Sequence, residues 1–215
     1  MNSSIANIRT DYTQKVLDIS DVLENPIEQF QIWFKEALHA AVMEPNAMQL
    51  STIGLDNTPN NRVVLLKDIH KLGFTFYTNY ESTKGQELIK NPFAALTFFW
   101  PELERQVRVK GVVSKVTTEE SDTYFASRPR GSQIGAWVSN QSQVIADRSV
   151  LSNRQEELEK EFDGKSVPRP AHWGGFQVIP LQIEFWQGRS SRLHDRILYQ
   201  RESADGTWKI ERISP

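Results

Sequence analysis

Ile183-Glu184-Phe185-Trp186-Gln187-Gly188-Arg189-Ser190-Ser191-Arg192-Leu193-His194-Asp195-Arg196 is the stretch that decides how the rest of the chain reads. Ile183 to Trp186 is rich in β-branched and aromatic residues and predicts a strand. Gly188, Ser190 and Ser191 supply turn chemistry. Arg192 to Tyr199 predicts a second extended run. Side chains alternate along a strand, so Arg192, His194 and Arg196 are expected on one face, with Trp186 close by. Two fixed positive charges flanking a titratable ring fit an anion-binding row or a polar outer face.

Composition sets the class. A chain of 215 residues is long enough for a sizeable core. Its 39% hydrophobic and 24% charged content is ordinary for a globular protein. A net charge of −2 argues against a general nucleic-acid binder, so any anion site is a local cluster. Cysteine is absent, which removes disulfides, thiolate metal sites and a cysteine nucleophile. Met1 to Gln14 contains no apolar signal-peptide core. The longest apolar run, Phe93 to Trp100, is too short to span a bilayer. A cytoplasmic protein is expected.

Residues 1–20 predict a flexible N-terminal arm, and 21–215 a single domain. Asn25-Pro26-Ile27-Glu28 is a helix start. Ile27, Phe30, Trp33, Phe34, Ala37, Leu38 and Ala41 carry an apolar helical face to about Met43. Strands are expected at Met48–Leu55, Arg62–Ile69 and Phe74–Thr78, as two successive hairpins. Ser82 can cap a short helix over 85–90, whose free backbone N–H groups with Lys84 make a phosphate seat. Phe93 to Trp100 predicts a strand buried on both faces. Arg105 to Val116 alternates, with Gln106, Arg108 and Lys110 on its polar face. Thr117-Thr118-Glu119-Glu120 is a capping box opening a helix to Arg128. There Tyr124 and Arg128 share a face, and with Ser132 they form a phosphate clamp or simply a polar helix end. A charged helix over 149–162 follows, then strands at 173–187 and 207–213.

Other chemistries fit poorly. His194 and Asp195 are adjacent on an expected strand and face apart, so no Ser191-His194-Asp195 triad forms. The four histidines lack paired ligand spacing, so no metal site is expected. No GxGxxG follows a strand, which excludes a Rossmann dinucleotide site.

Several motifs together are similar to one family. Glu184-Phe185-Trp186-Gln187 followed by Arg192-Leu193-His194-Asp195-Arg196 resembles the C-terminal signature of the pyridoxamine/pyridoxine 5′-phosphate oxidases. Ser127-Arg128-Pro129, then Ser132-Gln133-Ile134-Gly135-Ala136-Trp137, is a second match. The resemblance runs from about Arg9 to the C-terminus, with 165–215 as the signature segment. It implies a β-rich α+β fold, an antiparallel split β-barrel that binds FMN, with flanking helices. It implies a homodimer with FMN at the subunit interface. It implies that pyridoxine 5′-phosphate and pyridoxamine 5′-phosphate are oxidised by dioxygen to pyridoxal 5′-phosphate and hydrogen peroxide. No nucleic acid or membrane partner is implied.

The resemblance assigns residues too. Lys67, Tyr124, Arg128 and Ser132 grip the substrate phosphate. Arg192, Leu193 and His194 hold the substrate, with Arg192 and His194 catalytic. Arg62, Val63, Val64, Leu65, Leu66 and Lys67 line the flavin, together with Tyr77, Thr78, Thr83, Lys84, Gln106, Trp186 and Arg196. Gln141 and Ser142 are contributed across the dimer interface. Thr83 stands where the family usually has arginine. A segment matching Arg9 to Tyr12 folds over the substrate, although Thr10 replaces a second arginine; the alternative is a bland polar arm. Two other functions remain possible for such a chain: a related flavin oxidase with another substrate, as in phenazine synthesis, or a non-catalytic carrier of pyridoxal phosphate or flavin.

Overall fold

A computed structural model describes residues 5–8, 10–70 and 72–215. Among the described residues nine strands form one sheet. They are β1 (Ala47–Ile53), β2 (Pro59–Leu65), β3 (Asp68–His70), β4 (Gly73–Asn79), β5 (Phe93–Trp100), β6 (Arg105–Lys115), β7 (Trp173–Gln187), β8 (Asp195–Gln200) and β9 (Lys209–Arg212). The order is β2-β1-β5-β6-β7-β4-β3, with β8 on β7 and β9 on β8. The sheet is antiparallel and curled, and five helices flank it, as the split-barrel fold requires. The helices are α1 (Pro26–His39), α2 (Thr83–Lys90), α3 (Thr118–Ser127), α4 (Arg130–Val138) and α5 (Ser149–Glu161). Among the described residues, no helix is long and apolar enough to cross a membrane.

The chain divides into two compact units. One comprises Met1–Gln49, Ala95–Gly111 and Pro180–Pro215. Its core is ring-rich: Phe30 packs on Phe98 at 4.8 Å, and Trp33 meets Phe185 edge-on at 5.1 Å. Asn25 caps α1 by accepting from the Ile27 N–H at 2.9 Å, with Pro26 at the first turn. The other unit comprises Leu50–Ala94 and Val112–Ile179. There Phe125, Ile134, Leu158, Phe162, Val167 and Trp173 form a second apolar cluster.

Several expectations are corrected. Helix α1 ends at His39, because Ala41 and Glu44 take positive φ and cannot continue it. The strand expected over 62–69 breaks after Leu65 and resumes at Asp68, leaving Lys67 at the bend. Strand β5 is not buried on both faces. Ala94, Leu96, Phe98 and Trp100 are buried, whereas Phe93 and Phe99 on the other face are each 53% exposed. Helix α4 was not expected. Pro129 precedes it, and Gly131 and Gly135 lower its propensity, so tertiary packing of Ile134 carries it.

The largest correction concerns the run after Gly188. Pairing of β7 with β8 begins at Gln187 opposite Asp195, so strand geometry starts only there. Ser190–Arg192 form a tight turn, with Ser191 at φ +57° and Arg192 at φ +62°. Arg192, His194 and Arg196 therefore do not alternate along one strand.

Candidate active site

Three neighbourhoods gather the expected residues, and two lie in the second unit. The first is a cavity of about 570 Å³ lined by Lys67, Tyr124, Arg128 and Ser132, with Val63, Val64, Leu65, Tyr77, Thr78, Lys84 and Gln141. Helix α3 delivers Tyr124 and ends at Arg128, its C-cap; Pro129 then starts α4, whose first turn carries Ser132. Rings build the wall. Tyr77 stacks on Tyr124 at 3.9 Å and on Trp173 at 5.4 Å. Gly175 leaves room for this, since a Cβ there would come 2.8 Å from the Tyr77 ring. Burial pushes the Tyr77 hydroxyl up to about 12, so it stays protonated.

Arg128 is the telling residue here. Its Nη1 is buried with no hydrogen-bond partner among the described residues. Burial lowers the pKa of its guanidinium, with the Tyr124 oxygen acting against that. A buried guanidinium nitrogen without an acceptor normally costs about 1–3 kcal/mol or more. An anionic oxygen placed there would satisfy that donor.

The second neighbourhood lies at the start of α2. Ser82 caps the helix, accepting from Gly85 N–H at 3.3 Å. Thr83 N–H donates to Ser142 Oγ at 3.3 Å. Lys84 Nζ donates to Gln141 Oε1 at 3.2 Å, and Thr78 Oγ1 donates to the same oxygen at 3.2 Å. Helix N–H, ammonium and hydroxyl thus all point at side-chain oxygens, a donor set of the kind that binds an anion at a helix N-terminus. Gln141 and Ser142 make these contacts within their own chain. Burial and the Arg62 charge together lower the Lys84 pKa, so an anion between the two cations is favoured. Arg62 is also held from behind: Nη2 meets the buried Glu87 carboxylate at 3.1 Å, and Nη1 donates to Thr52. Leu66 is buried rather than cavity-lining.

The third neighbourhood belongs to the first unit. His194 lies 4.5 Å from the Trp186 ring and 6.0 Å from Tyr12. Tyr12 meets Trp186 edge-on at 5.8 Å. A Cβ at Gly188 would come 2.7 Å from the Tyr12 ring, so glycine permits that packing. His194 Nδ1 accepts the Arg189 N–H at 3.1 Å, which leaves the proton of the neutral ring on Nε2. Burial first, and the Arg192 charge second, hold the His194 pKa below the ordinary imidazole range. Arg192 and Leu193 are exposed beside it. Arg196 is not a free cation: Glu184, itself buried, accepts from its Nε at 2.8 Å and Nη2 at 3.1 Å. Arg108, on the polar face of β6, also reaches Glu184, at 3.1 Å. Gln106 is partly buried on β6. Arg9 lies outside the described residues. Asp195 pairs with Arg212 at 2.7 Å, so it does not serve His194. Sequence reasoning missed Trp173 and Glu87, because a ring or a carboxylate acting through its neighbours has no motif of its own.

Comparison with known proteins decides the family. A family model described as "Pyridoxamine 5′-phosphate oxidase" matches residues 34–161, and a "Pyridoxine 5′-phosphate oxidase C-terminal dimerisation region" matches 173–215. The chain belongs to the pyridoxamine 5′-phosphate oxidase family. It is 55% identical over 215 residues to the pyridoxine/pyridoxamine 5′-phosphate oxidase of Trichormus variabilis, covering 100% of both chains. It is 54% identical over 214 residues to the Burkholderia thailandensis oxidase, covering 99% of this chain and 100% of that one. Among solved structures it resembles PhzG from Burkholderia lata, crystallised with tetrahydrophenazine-1-carboxylic acid. That match has a TM-score of 0.86 and 30% identity, covering 93% of this chain and 98% of PhzG. The two blocks that carry the resemblance, around Arg128 and around Arg192, fall inside the two matched regions of this oxidase family.

Proposed function

We infer that the protein is an FMN-dependent oxidase that converts pyridoxine 5′-phosphate and pyridoxamine 5′-phosphate to pyridoxal 5′-phosphate. The observation that carries the phosphate specificity is the unpartnered, buried Arg128 Nη1 in a cavity lined by Lys67, Tyr124 and Ser132. Family membership supplies the reaction class. For the alcohol, one dioxygen yields one hydrogen peroxide; for the amine, one water is also consumed and ammonia leaves. FMN, when bound, supplies the hydride acceptor and the route to dioxygen.

The chain's own groups bind and orient. Lys67, Tyr124, Arg128 and Ser132 fix the substrate phosphate. Thr83, Lys84, Thr78 and Arg62 hold the phosphate of FMN, while Val63, Val64 and Leu65 offer apolar contact to its ring. Gln106, Gln141, Ser142, Trp186 and Arg196 complete the flavin contacts. Arg192 and His194 act on the end of the substrate remote from its phosphate. His194 is neutral there and donates through Nε2, so it polarises a substrate oxygen without carrying a charge. Tyr12, packed beside Trp186 and His194, covers the substrate. The protein acts as a homodimer with FMN at the subunit interface, in keeping with the dimerisation region matched over 173–215.

An oxygen electrode tests the reading. FMN-loaded protein given pyridoxine 5′-phosphate should consume oxygen and form a product absorbing as an aldehyde. Oxygen uptake confined to a tetrahydrophenazine carboxylate would transfer the chain to the phenazine branch. Ligand binding with no uptake on either substrate would make it a carrier.

A further inference from the structure

We propose that Trp173 is a positioning residue for phosphate recognition: its indole face holds the Arg128 guanidinium so that Nη1 stays available to the substrate. The inference rests on the phosphorylated substrate proposed above. The Arg128 guanidinium carbon lies 4.5 Å from the centroid of the Trp173 ring and 5.5 Å from that of Phe125. Among the described residues no carboxylate pairs with Arg128. That choice of partner matters. A carboxylate would orient the cation but would also occupy its donors and cancel its charge. An aromatic face attracts the guanidinium through its π cloud and leaves the in-plane N–H groups unspent.

Trp173 is itself rigid. It opens β7 opposite Asn79, its N–H donates to Pro170 O at 3.0 Å, and its carbonyl accepts from Arg169 Nη1 at 2.6 Å. Its ring stacks on Tyr77 with an 11° interplanar angle and meets Phe125 edge-on at 5.2 Å. Tyr77 in turn stacks on Tyr124. One indole thus backs both the guanidinium and, through Tyr77, the phenol of the clamp. By contrast, Arg62 and Arg196, two other arginines assigned to ligands, are each fixed by a buried glutamate.

The test uses FMN-loaded enzyme and three variants. Trp173→Leu removes the π face, and Trp173→Met does so with less loss of volume, in case the leucine variant folds poorly. Trp173→Phe keeps a face. The KM for pyridoxine 5′-phosphate should rise roughly 2- to 30-fold in the leucine and methionine variants, with kcat nearly unchanged. Phenylalanine should restore most of the loss. Affinity for pyridoxal 5′-phosphate should fall in parallel, while affinity for unphosphorylated pyridoxal should not move. Equal weakening of both ligands, or an unchanged KM, overturns the positioning role. Arg128→Ala separates the two ideas. If it leaves KM unchanged, the phosphate reading itself fails; if it raises KM while Trp173→Met does not, only the role of Trp173 fails.

Discussion

Arg192 and its neighbour Ser191 both sit in the left-handed region, at φ +62° and +57°. Each such non-glycine residue costs on the order of 1 kcal/mol, and strain of this kind is kept where geometry serves a site. The side chain of Arg192 is exposed, so its removal should leave the fold intact. Arg192→Ala is expected to lower kcat/KM roughly 10- to 150-fold, the loss of one charged contact, while flavin absorbance per chain stays constant. Wild-type kinetics in that variant would remove Arg192 from the reaction. The same substitution reports on His194, whose pKa is held down by burial and then by the Arg192 charge. Without that charge the His194 ring should titrate closer to the ordinary imidazole range, as histidine proton shifts in an NMR titration would show. The sign for stability follows. A ring that folds neutral makes the unfolded state bind more protons, so its contribution rises with pH up to the ordinary imidazole range. At this scale the sequence was legible in residue type but not in placement. The identity of Arg192 and His194 was plain, yet their shared strand face was not real, because a turn with two positive φ values leaves no alternation to read.

Helix ends were legible where a side chain does the capping. Asn25 at α1 and the Thr117–Glu120 box at α3 both cap as their motifs predict. Asn25→Ala should destabilise the protein by about 1 kcal/mol, measured as a lower urea midpoint at unchanged m-value. An unchanged midpoint would mean that water replaces the cap at no cost. Helix α4 was illegible for the opposite reason: no side chain caps it, and its stability comes from burying Ile134. Helix α2 links local structure to ligand. Its first turn presents Thr83 N–H and Lys84, and burial with the Arg62 charge lowers the Lys84 pKa. An FMN phosphate would relieve that repulsion. Lys84→Ala should therefore raise the dissociation constant for FMN roughly 10-fold or more by fluorescence quenching, and leave that for riboflavin almost unchanged. Equal losses for both flavins would indicate a damaged helix rather than a missing phosphate contact.

At the scale of the molecule, strand β5 carries the remaining discrepancy. Its sequence, Phe93-Ala94-Ala95-Leu96-Thr97-Phe98-Phe99-Trp100, reads as buried on both faces, and a single chain buries only one. Phe99 is 53% exposed although its neighbours Phe98 and Trp100 are almost completely buried. Sequence patterning reports the environment of the working assembly, whereas one chain shows only what that chain can cover by itself. The two agree if a second copy covers the open face; the dimerisation region matched over 173–215 is in keeping with a second copy but does not include β5. Burying half of one phenylalanine on each side contributes about 1–2 kcal/mol per subunit, and placing a carboxylate there adds an uncompensated charge. Phe99→Glu is thus expected to shift the protein from dimer toward monomer in sedimentation velocity, most clearly at low micromolar concentration. Because FMN is proposed to sit at the subunit interface, the same variant should also retain less flavin on gel filtration, with losses that grow on dilution. A variant that stays dimeric on dilution and keeps its flavin would place the interface away from this face of β5.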